Sequence, residues 1–114
     1  MQQFVENRSA LLIVPKEPYK EWAKLYNEES LEVLDARLDE KHIYLIEFSY
    51  EEDLMDILSP YYIQIFENEL LSWNRRKREW PEERSIAVFL DWFKVIFCDD
   101  IFDLVSEKIV TDIL

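Results

Sequence analysis

The 114-residue chain contains no glycine, where ordinary usage of about 7% would supply roughly eight. A P-loop, a G-x-G-x-x-G dinucleotide turn and a G-x-S-x-G nucleophile elbow all need backbone without a Cβ, so each is excluded in its standard form. Positive charge is also scarce: 13 Lys and Arg face 25 Asp and Glu, a net charge of −12. A nucleic acid or an anionic membrane must be met by a basic face, so neither partner is expected. Cys98 is the single cysteine, which rules out an intramolecular disulfide. With no basic-then-apolar leader pattern at the start, a cytoplasmic location is expected. His42 is the only histidine, so multi-histidine zinc sites are excluded. The longest unbroken apolar runs, such as Ala10–Val14 and Ile86–Leu90, reach five residues, far short of the roughly 20 that span a bilayer.

What is present suits one core. Apolar residues make up 49% of the chain and aromatics 15%, so a single globular domain over residues 1–114 is expected. Charge is distributed unevenly. Residues 43–73 carry seven acids and no Lys or Arg, and Arg75, Arg76, Lys77 and Arg78 follow at once. The bland reading of those four cations is that they complement the C-terminal end of a helix dipole.

Ala10–Val14, stopped by Pro15, reads as a strand buried on both faces. Pro18 suits a first helical turn, and Tyr19, Trp22, Ala23 and Tyr26 recur at helical spacing. Residues 28–41 are expected to be a short helix or a loop. His42–Phe48 reads as a second strand; Ser49 is placed as the cap of the next helix, with Glu51, Glu52 and Asp53 in its first turn. Ser59-Pro60 breaks that helix, after which Tyr62, Phe66, Leu70 and Trp73 share one face. Trp80-Pro81-Glu82-Glu83 reads as a helix start, with Ile86, Phe89, Leu90 and Phe93 as its apolar stripe. Lys94–Cys98 and Ile101–Val105 form one long strand or a hairpin. The order predicts an α+β fold: a small mixed three- or four-stranded sheet with packed helices. The 28 or so residues between the first two strands suit a parallel crossover. Without glycine, turns that need positive φ fall to Asn27, Asp39, Asn74 and Asp99.

No catalytic set assembles, and neither a metal nor a cofactor is expected. Asp99-Asp100-x-x-Asp103 has the D-D-x-x-D spacing that presents carboxylates to magnesium in large helical synthases, but here it reads as a solvated turn. His42, at a strand start, reads as exposed or capping, and Cys98, in an apolar run, as a small buried hydrophobe. Trp22, Trp73 and Trp92 fall on helical faces and read as core. Trp80 lies in a connection beside Arg residues, so it is a candidate interface anchor if exposed and a structural plug if not.

Asn7-Arg8-Ser9-Ala10, Pro15-Lys16, Pro18, Trp22, then Trp80-Pro81-x-x-Arg84-Ser85, Phe89 and Trp92-Phe93, form a pattern that resembles a family of short uncharacterised bacterial cytoplasmic proteins. That family has no assigned activity, so the resemblance implies no catalytic residue. It does draw attention to Arg8, Lys16 and Arg84, cations at element boundaries in an acidic chain. Three functions are expected in order: a non-catalytic protein-interaction or regulatory domain, with a protein partner or as a homodimer, using aromatics near residues 73–84; a small enzyme or binding protein for an anionic small molecule held by Arg8, Lys16 or Arg84; and an acidic nucleic-acid mimic using residues 43–73.

Overall fold

The structure, a computed structural model, describes residues 3–26 and 36–114. Its centre is β2 (Arg8–Pro15), which follows the two-residue strand β1 (Gln3–Phe4). The β-branched and leucine side chains of β2 alternate between two faces, and it is flanked on one side by β3 (His42–Glu47) and on the other by β4 (Phe93–Cys98), in the order β3-β2-β4. Both pairings are antiparallel, with Ile13 opposite His42 and Pro15 opposite Phe93. The parallel crossover expected between the first two strands is therefore corrected. The connection after Pro15 returns to the end of the sheet from which it left, so β3 enters beside Ile13 and runs back. A long connection permits a parallel crossover without requiring one.

Among the described residues, four helices with printed bounds contribute to the core on one face of this sheet. Pro18 starts α1 (Glu17–Leu25) in its first turn. A helical turn at 36–38 buries Leu38; the rest of the stretch expected to be helix or loop, residues 27–35, lies outside the described residues. Then come α2 (Leu54–Leu58) and α3 (Tyr62–Trp73), separated at Ser59-Pro60 as expected. After a 3-10 turn (Lys77–Glu79), α4 (Ile86–Trp92) runs straight into β4. Phe93, read as the last residue of a helical stripe, is the first residue of that strand. Residues 102–103 form β5 (Phe102–Asp103), which pairs with β1 in a separate two-stranded sheet; neither the long strand nor the hairpin forms. The partner was invisible in sequence because two residues carry no alternation.

The helix starts depend on acceptor side chains more than on proline. Asp53, not Ser49, caps α2 by accepting the Met55 N–H at 2.8 Å. The helix at Ile86 is capped by Ser85, which accepts from the Val88 N–H, and Pro81 lies outside it. No described residue has positive φ, so the left-handed turns expected at Asp39, Asn74 and Asp99 do not occur, and Asn27 lies outside the described residues. Asp53, Asn74 and Asp103 each accept an N–H from two residues ahead, and Ser49 does the same for Glu51. Such side-chain turns reverse the chain at negative φ, which is how a chain without glycine avoids the steric cost of the left-handed region.

The core gathers Leu11 and Ile13 of β2, Ile46, Phe93 and the inward residues of the helices into one cluster. Phe66 is fully buried against the rings of Phe89, Trp92 and Phe93 at 5.5–5.8 Å. Truncating it leaves a cavity, and Phe66→Ala is expected to cost about 3–5 kcal/mol in urea unfolding. Ser85→Ala, which removes the α4 cap and an exposed hydrogen bond to Glu83, is expected to cost about 1 kcal/mol. Equal effects would contradict this ranking.

Candidate functional site

Among the described residues, Glu69 is the one acid drawn into the core, only 1% exposed, on the inward face of α3 among Phe66 and Leu70. A carboxylate stripped of water needs donors on every side. His42 Nδ1 lies 2.8–2.9 Å from both carboxylate oxygens, and the Tyr44 hydroxyl donates to one of them. A carboxylate has only lone pairs to offer, so Nδ1 is the donor in this pair. Asn68 supports the Tyr44 oxygen at 2.8 Å. The Glu69 backbone carbonyl accepts from Tyr19 at 2.7 Å and from Ser72 at 2.8 Å. His42, read from sequence as exposed or capping, is thus tied to α3. His42 and Tyr44 alternate inward on β3 opposite Ile13 and Leu11, which is why both reach one helix residue.

The adjoining cavity, about 140 Å³, is bordered by Arg37, His42, Glu69, Ser72 and Trp73. Its size falls below the roughly 300–1,000 Å³ of sites that hold organic ligands. The carboxylate–imidazole pair is the kind of arrangement that orients a general base or a metal ligand. Among the described residues, however, no three His, Cys, Asp or Glu groups converge as a metal site. The network reads as a polar knot joining α1, β3 and α3. Sequence reasoning missed it, although the alternation of His42 and Tyr44 on one strand face was a usable signal.

A larger concavity lies on the helix layer. It is shallow and wide open, about 810 Å³ against Pro18, Trp22, Tyr26, Trp80, Pro81 and Trp92. Trp80 itself is buried, 6% exposed, and acts as a plug: its indole N–H donates to the Asn74 carbonyl at 2.7 Å. Lys77 and Arg84 lie over its ring.

The third surface is the sheet's other face. Strand alternation and register put Ala10, Leu12, Val14, Ile43, Leu45 and Ile96 there, and none belongs to the core cluster. Ile43 is 68%, Leu45 52% and Ile96 38% exposed. Cys98 shares this face and is exposed, which corrects its reading as a buried hydrophobe.

The three cations singled out from sequence do not meet. Arg8 and Lys16 stand at opposite ends of β2; Arg8 donates to the Asn7 carbonyl and Lys16 to the Leu90 carbonyl at 3.0 Å. Arg84 donates to the Pro81 carbonyl at 2.7 Å and stacks on Trp80. The acids of residues 43–73 are spread over the end of β3, the loop after it, α2 and α3, with Glu69 withdrawn from solvent. Asp99 gives its carbonyl to the Ser9 hydroxyl, and Asp103 sits in β5. Among the described residues, no helix is long and apolar enough to cross a membrane. Compared with family models, with curated proteins and with solved structures, the chain matches none.

Burial pushes the Tyr19 phenol up, with the Glu69 charge adding to it, and burial followed by the hydrogen bond to Glu69 pushes Tyr44 up. Both stay neutral in the folded state above the ordinary value of 10.0 at which the unfolded chain ionises. The unfolded state then binds fewer protons, so stability is intact below that value and falls as pH rises above it. Alkaline urea titrations should show this loss, and Tyr19→Phe and Tyr44→Phe should each flatten it. A wild-type midpoint unchanged across that range would contradict the burial of these phenols.

Proposed function

We propose that the protein is a non-catalytic protein-interaction domain that works as a homodimer through the uncovered face of its sheet. The observation that carries this reading is the apolar patch of Leu12, Ile43, Leu45 and Ile96, partly or largely exposed and outside the core cluster to which the described helices contribute. An antiparallel sheet with one solvated face ordinarily shows polar side chains there. Contiguous apolar surface on a soluble body marks a contact site.

A second copy suits the charges on the patch. Glu47, at the end of β3, and Lys94, near the start of β4, are both exposed and stand at opposite corners of this face. A two-fold axis in the plane between them sets each Glu47 on the Lys94 of the other copy and stacks the apolar centres, the self-complementarity an isologous interface requires.

Two copies each bearing −12 repel one another, and salt screens that repulsion while leaving apolar burial intact. Sedimentation equilibrium should therefore show dimers that tighten as salt is raised. The Ile43→Glu/Leu45→Lys double variant, which changes only exposed positions, should weaken association at least tenfold with little loss of stability. A chain that stays monomeric at every concentration and salt level, or a dimer indifferent to the double variant, would overturn the reading.

A further inference from the structure

We infer that the segment Ile109–Leu114 is a strap that closes on the free edge of β3 as a fourth, antiparallel strand of the same chain. The inference goes beyond the homodimer reading, since it concerns the rim of the sheet and not its outer face. In the order β3-β2-β4, β3 is an edge, and among the described residues no strand pairs with its open side. The Phe48 N–H donates to the Asn7 carbonyl at 3.3 Å, so these two residues form a bonded pair. Bonded and non-bonded pairs alternate along an antiparallel ladder. Ile46, Tyr44 and His42 therefore spend their backbone groups on β2, and Ile43, Leu45 and Glu47 turn theirs to the open side. Glu47 agrees with that direction: its N–H reaches outward to the Tyr61 hydroxyl, at a long 3.4 Å. The other edge strand, β4, carries the exposed Lys94, a common guard against pairing, whereas β3 contains neither Lys nor Pro.

The occupant is named by where the chain goes next. After Asp103 leaves its pairing with Gln3, residues 104–114 contain no helix or strand, and six of the eleven are apolar and more than half exposed. The segment sets out from the end of the sheet at which β3 finishes. There the Ser9 hydroxyl ties Asp99, shortly before β5, to Ser49, shortly after β3. It arrives beside the middle and start of β3. Leu114 borders a half-open hollow of about 300 Å³ with Tyr44, Ile46, Tyr61, Ile65 and Asn68, and a wider, shallow one with Lys41, His42 and Ile43. The path is therefore antiparallel to β3. Ile109–Leu114 and His42–Glu47 are each six residues long, about 20 Å of extended chain.

Side-chain alternation suits both faces of that seat. With Leu114 toward the hollow, Val110 shares its side, and Asp112 between them meets the amides of Gln64 and Asn68 on α3. Ile109, Thr111 and Ile113 then fall next to Ile43 and Leu45, a row of β-branched residues of the kind strands favour. Closing the strap pairs the open backbone groups of Ile43 and Leu45 and takes apolar side chains out of water. It also leaves no bare edge for a foreign strand to extend.

The test is amide hydrogen exchange, read by NMR on the full chain. The Ile43 and Leu45 amides should exchange about tenfold or more slowly than in the Val110→Asp/Leu114→Asp variant, which changes only exposed side chains. The Leu12 amide, on the β4 side of β2, should exchange alike in both proteins, showing that the fold is intact. In a mixed sample of labelled and unlabelled copies, contacts between the Leu114 methyl groups and the Tyr44 ring should arise within one chain. Unprotected Ile43 and Leu45 amides in the wild type, or protection that the double variant leaves unchanged, would overturn the proposal. Leu114–Tyr44 contacts found only between copies would overturn it too, by giving the edge to a second copy. Sedimentation reads the sheet-face dimer and these spectra read the strap, so each reading can fail without the other.

Discussion

A carboxylate inside an apolar core has to be answered by donors, and Glu69 on α3 is answered by residues from two other elements. His42 and Tyr44 reach it from β3, while Tyr19 crosses from α1 to its backbone carbonyl. The desolvation cost of such a group is several kcal/mol unless its partners are all in place, so the knot tolerates only one relative placement of helix and strand. Apolar packing around Phe66 could slide by a rotamer with modest loss, whereas these hydrogen bonds could not. The register of β3 against α3, and with it the face that β3 turns outward, depends on this carboxylate.

That outward face follows from strand alternation. Once His42, Tyr44 and Ile46 point at the helices, Ile43 and Leu45 must point away. The Ser9 hydroxyl closes the same end of the sheet, donating to Asp99 beyond β4 and accepting from Ser49 beyond β3. The interface proposed for a second copy is thus the back of the core's own solution, apolar because β2 is apolar on both sides. The helix layer carries a different surface, in which tryptophans that hold α1, the 3-10 turn and α4 together also line a groove.

Much of the sequence pattern that stood out is explained by joints of the fold. Ser9 staples the strand ends, Pro18 starts α1, Ser85 caps α4, and Trp22, Trp80 and Trp92 brace the helix layer. Arg84 reaches back to the Pro81 carbonyl over Trp80. Such residues are conspicuous because backbone hydrogen bonds and ring packing are exacting about side-chain type. The candidate sites were less legible. Glu69 looked like one acid among many, and Ile43 and Leu45 were simply apolar residues of a strand, because periodicity reports which residues share a face and not which face is covered.

Local chemistry determined the elements. β-Branched runs made β2 and β3, proline and apolar spacing made α1 and α3, and the absence of glycine turned the loops toward Asp, Asn and Ser acceptors. Even there the mechanism was settled by geometry, since Asn74 closes its turn at φ −151° with its side chain and not in the left-handed region. Tertiary structure alone decided the direction of β3, the pairing of β1 with β5, the burial of Glu69 and Trp80, and the bareness of the outer sheet face. Each of these depends on contacts between residues far apart in the chain. Intrinsic propensity and spacing act over a few residues, whereas strand direction and burial are set by how the whole chain returns upon itself.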